Sequence, residues 1–512
     1  MMKILSRVIW LLLLLPACGT SLPKEAEEVN VEAQIYPDYR NVVIPANVAP
    51  LNFRVEQPLN GCVVRVSARN GEEILVEADG KGDVRFPLKK WKSFMVNHAD
   101  DSLSVDLYVK DKSWMHYNSF SWVVKPDSID PIMTCRLIEP SYRGHGALSL
   151  VSYNLEDNTS RVIAENEKLR HEPFPVNRQS CLNCHSQQRN GSGNSLFFYR
   201  GEHGGLVLTY NGKSRIINSR VGDMYASTTY PAWHPYLPLI AFSINAVGQT
   251  YPVSDPSKTE VIDDRSDMVL YDIEKDEISY ITKTKNRLET FPCWSADGKF
   301  LYFAYSDSAA LTTSVYQRLR YDLARISFDA DSLSWGEPQV LTDFAKRALS
   351  ANYPQPSPDG RFMLFAVSKY GCSPYRHADC DIYVMDMEQG TYRLVHEVDT
   401  PNASDYCRGW SRNGRWILIS SRKDDGNYGR VYFSYCDETG HFSKPFQLPH
   451  EYPAHDLEFL KSYNAPEFAQ VEPIMTPSEF YHLLDTSHVQ PANYRGTMDI
   501  PVDANSGASV IR

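Results

Sequence analysis

Four segments of this chain can be laid over one another: "YPAWHPYLPLIAFS" from Tyr230, "FPCWSADGKFLYFAYS" from Phe291, "YPQPSPDGRFMLFAVS" from Tyr353 and "YCRGWSRNGRWILISS" from Tyr406. The matching positions Trp233, Trp294, Pro356 and Trp410 are spaced by 61, 62 and 54 residues. Self-similarity at such a period marks a unit that cannot bury its apolar face alone and must pack against copies of itself. Each segment has the pattern of an aromatic-headed strand, a tight turn and a second apolar strand. The pairs Asp297-Gly298, Asp359-Gly360 and Asn413-Gly414 offer the positive φ that a tight hairpin needs. Further strands follow, such as "DMVLYDIEKDE" from Asp267 and "DIYVMDMEQG" from Asp381, then outer ones such as "ISYIT" and "YRLVHE". Four strands per repeat, set around a ring, is the arithmetic of a β-propeller. Two less regular units, from Ala147 and Ser195, precede the four, and "FLKSYNAPEF" from Phe459 is available to close the ring. About six blades over residues 132–470 are expected, with a C-terminal extension over 471–512.

The region before the repeats alternates apolar and polar residues in short runs ("CVVRVSA", "DSLSVDLYVK", "SFSWVVKP"), separated by turn signals such as "RNGEE" and "DGKGD". This predicts a β-sandwich over 31–131. With 32 prolines, 27 glycines and 31 tyrosines in 512 residues, the composition suits short strands and turns, so an all-β chain is expected. The net charge of −11 and the lack of a long basic run argue against a nucleic-acid partner.

The first residues, "MMKILSRVIWLLLLLPACGTS", have a basic start at Lys3 and Arg7, then an apolar run too short to span a bilayer comfortably. That is the pattern of a secretory signal. Leu15-Pro16-Ala17-Cys18 resembles a bacterial lipobox, which implies a signal peptide over 1–18, a lipidated Cys18 and a membrane attachment through that lipid. Residues 19–30 are expected to be a linker, and its acidic "KEAEE" resembles the surface-export signals of some Bacteroidetes lipoproteins. The expected location is the envelope of a Gram-negative bacterium, on the periplasmic face of the outer membrane or on the cell surface. Export permits disulfides, and Cys372 with Cys380, and Cys62 with Cys135, are the candidate pairs, although sequence does not set connectivity.

The unit "SPDGRFMLFAVS…DIYVMDMEQG" is similar to the repeats of TolB-like propellers, a likeness covering about residues 135 to 470. It implies a fold and says little about function. Chemistry enters at "SCLNCHSQQ", where Cys181-Leu182-Asn183-Cys184-His185 has the C-x-x-C-H spacing of covalent haem attachment. Two thiols three apart can each add to a vinyl group of one porphyrin, and the histidine after the second can coordinate the iron. A chance match, a structural disulfide, a redox dithiol and half of a zinc site are the competing explanations. The redox dithiol lacks a strand-to-helix context, and the zinc site lacks a second ligand pair. The chain resembles exported TolB-like propeller proteins that carry one haem motif in a loop between blades, which implies one haem c in a loop near 175–200.

A sixth iron ligand is sought at His234, which departs from the serine at the equivalent Ser295, Ser357 and Ser411. Met224 is the second candidate and His203, between glycines, the third. Each has a bland alternative: a turn variant, core packing and an exposed turn. Asp263, Asp264 and Asp267 in "VIDDRSD" form a weaker candidate for calcium, against simple solvation. The expected function is electron transfer with a redox partner protein. The alternatives are a haem-free propeller binding protein or glycan, and a haem-dependent oxidoreductase with an open iron position.

Overall fold

The computed structural model describes residues 20–139, 148–165, 180–188, 191–201, 203–250, 260–307 and 313–496. Residues 1–18, expected to be a signal peptide ending at Cys18, lie outside these, as do parts of the stretch around 175–200. Among the described residues no helix is long and apolar enough to cross a membrane. The chain is all-β, an N-terminal sandwich followed by a propeller.

The sandwich has a seven-stranded sheet and a three-stranded one. In Phe120–Lys125 the alternation sends Phe120, Trp122 and Val124 inward. Ile35, Phe53 and Val84 of the small sheet meet them in one core. A helix at Leu88–Asn97, not expected from the sequence, completes the covering layer. Its buried Trp91, Phe94 and Met95 follow i, i+3, i+4 spacing, and Trp91 Nε1 donates to the Val48 carbonyl at 2.8 Å. The expected linker also needs correcting at its end. Glu27–Glu32 is an edge strand pairing parallel with Trp114–Asn118, where Glu28 meets His116 at 2.8 Å.

In the propeller the described strands pair into six successive antiparallel units, the sheets of the ring; the second carries a fifth strand, and the third and fourth join edge to edge into one ten-stranded sheet. Their innermost strands are Cys181–Gln187, Thr228–Trp233, Leu288–Trp294, Ser350–Pro356 and Asp405–Trp410 for the second to sixth sheets. The first sheet borrows its inner strand, Ser462–Ala469, from the far end of the chain, paired antiparallel with Ile132–Ile138. The last strand therefore closes the ring. Beyond it, helix Pro477–Thr486 packs Phe480 and Leu484 against the second sheet. Gln490–Pro491 and Asn493–Arg495 then add parallel outer strands to the second and third.

Three expectations are corrected. The C-x-x-C-H residues lie on an inner strand, not in a loop between blades. The stretch holding Asp263, Asp264 and Asp267 is no loop either, but part of the long strand Glu260–Asp272 paired with Leu239–Thr250. Finally, the four cysteines of the expected disulfides, Cys62, Cys135, Cys372 and Cys380, are all free thiols. Cys62 and Cys135 are buried in different sheets. Cys372 Sγ points to the Val261 carbonyl at 3.4 Å and Cys380 Sγ to that of Asp405 at 3.3 Å, so neither proposed pair forms.

Candidate functional site

Every inner strand breaks register at one place. At five of these bulges a non-glycine residue sits at positive φ: Cys184 at 50°, Tyr230 at 49°, Phe291 at 55°, Tyr353 at 53° and Ala465 at 49°. Such backbone is uncommon outside glycine, and its recurrence marks a built feature that re-aims side chains. Tyr230, Phe291, Tyr353 and Tyr406 form a chain of rings, with centroids 4.4, 4.3 and 6.0 Å apart. The neighbouring first and second sheets place the small Ala465 and Cys184 where the others place rings. The aromatic ring is interrupted there.

A cavity of about 670 Å³ occupies the channel, lined by residues of all six inner strands. Cys181, Cys184 and His185 all line it. Their strand is held by buried Leu182 and by a hairpin link, Gln188 N–H to the Asn194 carbonyl at 3.0 Å. The same link starts at His234, Ser295, Ser357 and Ser411 in the following sheets. "CHSQQ" thus occupies the repeat position of "YPAWH", with Cys184 at the place of Tyr230.

His185 is half-buried, yet its Nε2 is shut off from water and has no hydrogen-bond partner among the described residues. Burial, followed by the charges of Arg136 and Arg408, pushes its pKa down to about 3, against the backbone of Thr134 and Ala465. The ring is neutral at neutral pH, the form that ligates metals. Arg136 donates to the Leu182 carbonyl at 2.9 Å, to Asn464 Oδ1 at 2.8 Å and to Asn183 Oδ1, joining the first sheet to the motif strand. Glu467 of the closing strand accepts from Ser186 Oγ and Gln187 N–H, both at 3.2 Å. Arg136, Arg200, Arg408 and Arg412 line the cavity against Asp130 and Glu467, so this wall is positive in an acidic protein. The ring tyrosines and these arginines escaped sequence reasoning. The signals were present in the aromatic head of each repeat segment and in a lone arginine within the apolar run "IMTCRLI".

The three candidate sixth ligands do not join the motif. His234 also borders the cavity, but its Nδ1 accepts from Tyr236 N–H at 3.1 Å and Leu237 N–H at 3.0 Å, and its Nε2 meets the Gly298 carbonyl at 3.2 Å. The ring does the hairpin work done elsewhere by serine. Met224 is buried in the core between the second and third sheets, and His203 is exposed in a turn at φ 58°. Nor do Asp263, Asp264 and Asp267, the calcium candidates, gather into a metal-ligand group among the described residues. Asp263 is buried and accepts from Ser266, Asn245 and Tyr321, Asp267 accepts from Thr284 N–H, and Asp264 is exposed.

No family model matches the chain, and no curated protein matches it in sequence. Among solved structures it is similar to TolB from Acinetobacter baumannii, at 12% identity and TM-score 0.43 over 85% of this chain and 99% of that one. An oligogalacturonate lyase from Vibrio parahaemolyticus is 11% identical with TM-score 0.32, over 81% and 100%. An auxiliary nutrient binding protein from Bacteroides thetaiotaomicron is 10% identical with TM-score 0.33, over 78% and 99%.

Proposed function

We propose that the channel cavity holds one haem c, tethered through Cys181 and Cys184 with His185 as iron ligand, in an envelope protein anchored by a lipid on Cys18. The protein would pass electrons to and from a redox partner. The observation that carries this reading is that both thiols, free, and a neutral imidazole with an orphaned nitrogen line one cavity of about 670 Å³. That volume lies within the range of roughly 300–1,000 Å³ common for ligand and cofactor sites. The gap in the aromatic ring at Cys184 and Ala465 gives a planar group an entry between the first two sheets. Arg136 and Arg408 suit the carboxylates of its propionates, and the row of tilted rings on the opposite sheets gives it an apolar wall.

The haem would supply a one-electron couple. The protein's part is to hold His185 neutral, to keep positive charge beside it and to wall off solvent, all of which tune such a couple. A second reading, a haem-dependent oxidoreductase, is favoured by one observation: His234 is occupied with its hairpin and Met224 with core packing, so neither is offered as a sixth ligand.

The test is expression with export in a host that matures c-type haem, followed by visible spectra of native and denatured protein. Haem absorbance that survives denaturation and is lost in Cys181→Ala/Cys184→Ala is expected. Colourless wild-type protein under these conditions would overturn the proposal and leave a binding propeller. If haem is present, a spectrum that shifts on adding cyanide or carbon monoxide selects the oxidoreductase, and an inert spectrum selects electron transfer.

A further inference from the structure

A second constellation lies away from the cavity, where the chain leaves the sixth sheet and turns into the closing strand. His450, His455 and Asp456 each offer a ligand atom, and these atoms lie within 4.8 Å of one another. Asp456 Oδ1 is 3.3 Å from His450 Nε2, 3.1 Å from His455 Nδ1 and 3.0 Å from the Tyr463 hydroxyl. The hydroxyl in turn lies 3.3 Å from His450 Nε2 and 3.4 Å from His455 Nδ1. The two imidazoles are stacked with centroids 4.1 Å apart. Four polar atoms from three parts of the chain therefore converge on one small space.

Hydrogen bonding alone serves this arrangement poorly. A single carboxylate oxygen would have to accept from two ring N–H groups and a phenol, while the ring nitrogens and hydroxyl crowd each other at hydrogen-bond distance. The Asp456 side chain is only 1% exposed, so it cannot recruit bulk water to relieve the crowding. A divalent cation at the focus would use the lone pairs of both imidazoles and the carboxylate together.

We infer that His450, His455 and Asp456 form a binding site for a divalent transition metal of the zinc type, independent of the channel cavity. Two histidines and a carboxylate are a zinc donor set, with the fourth position left to a water or the phenol. The outer partners that such sites use are also present. Gln447 Nε2 donates to the other carboxylate oxygen of Asp456 at 2.8 Å, which fixes its orientation. Access is from solvent on the His455 side, whose side chain is 34% exposed.

The position of the site assigns it a structural task. Tyr463 belongs to the strand that closes the propeller ring. The backbone carbonyls of His450 and Glu451 accept from Asn52 Nδ2 of the sandwich at 3.0 and 3.3 Å, and the Gln447 carbonyl accepts from the Tyr39 hydroxyl at 3.3 Å. A metal here clasps the ring closure and the sandwich to the same loop.

The experiment uses full-length protein stripped with chelator, titrated calorimetrically with Zn²⁺ and spectroscopically with Co²⁺, alongside thermal melts with and without Zn²⁺. Because Cys181, Cys184 and His185 could also take zinc, the titration is repeated in Cys181→Ala/Cys184→Ala. One equivalent is expected to bind to the Cys181→Ala/Cys184→Ala protein, and at least one to wild type, raising the melting temperature of both. His455→Ala, at the exposed ligand, is expected to weaken that binding by at least roughly 100-fold and abolish the thermal shift, and Gln447→Ala to weaken it by roughly 10-fold. No binding to the Cys181→Ala/Cys184→Ala protein, or undiminished binding in folded His455→Ala and His450→Ala alike, would overturn the inference.

Discussion

Glu289 illustrates how one buried residue contributes to the pH response of the molecule, alongside Asp263, Asp381 and Asp405, which burial raises into the same range. It lies on the inner strand of the fourth sheet, fully buried, and neither carboxylate oxygen has a hydrogen-bond partner among the described residues. Burial pushes its pKa from 4.5 up to about 7. Between those values the folded protein keeps a proton that the unfolded chain releases, so this contribution to stability is complete below pH 4.5 and is lost as pH rises through 7. The full loss is on the order of 3 kcal/mol. Glu289→Gln, which imitates the protonated form, is expected to equal wild type in urea midpoint at about pH 4.5 and to exceed it progressively by about pH 8. A constant offset between the two proteins across that range would rule out Glu289 as the titrating group. The same burial logic keeps His185 neutral and acts with the opposite sign: its pKa falls from 6.5 to about 3, so its contribution is complete above pH 6.5 and is lost as pH falls toward 3.

The hairpins show which elements were legible in the sequence. In the fourth sheet, Ser295 Oγ donates to Asp297 Oδ1 at 2.6 Å and accepts from Phe300 N–H at 3.0 Å. Ser357 with Asp359, and Ser411 with Asn413, do the same in the next two. Only the glycines take positive φ, 72°, 73° and 71° at Gly298, Gly360 and Gly414, so the Asp-Gly pairs divide the work between a side-chain bond and a left-handed backbone. Because this chemistry is local, four residues reveal it. The blade carrying the C-x-x-C-H motif has no such signature: Gln188 and Asn194 replace the serine turn, and polar "CLNCHSQ" hides an inner strand whose partners lie far along the chain. The helix at Leu88–Asn97 was legible in its spacing but masked by the strand signals around it. The metal constellation depends on Tyr463 meeting His450 across a fold, which no local pattern announces.

The glycines also allow a comparison. A Cβ at Gly298 would lie 2.5 Å from His234 Cε1 and Nε2, whereas at Gly360 nothing lies within 4 Å. Gly360→Ala is expected to cost only the left-handed backbone penalty, about 1 kcal/mol. Gly298→Ala must also displace a buried histidine packed 4.6 Å from Trp294, and should cost at least twice as much. Equal melting temperatures for the two variants would contradict the hairpin role given to His234.

At the scale of the molecule, sandwich and propeller are joined through a common core. Buried residues of the sandwich, among them Trp91, Trp122 and Val124, belong to one apolar cluster with Trp416, Leu418, Phe433 and Phe446 of the sixth sheet and Tyr463 and Phe468 of the closing strand. Trp416 is wholly buried at this junction, and its Nε1 donates to the Asp127 carbonyl at 2.8 Å. The sandwich thus packs where the ring is closed, and each stabilises the other: opening the ring exposes the sandwich core, and removing the sandwich uncovers the seam. Two units sharing buried surface in this way should unfold together despite their separate sheets. Calorimetry of wild type is expected to give one transition. Trp416→Ala leaves a cavity at the junction and an unpartnered Asp127 carbonyl, costing about 3–5 kcal/mol, and should move that one transition downward as a whole. Two transitions, with only the propeller's displaced by the substitution, would mean that the shared cluster does not couple the domains.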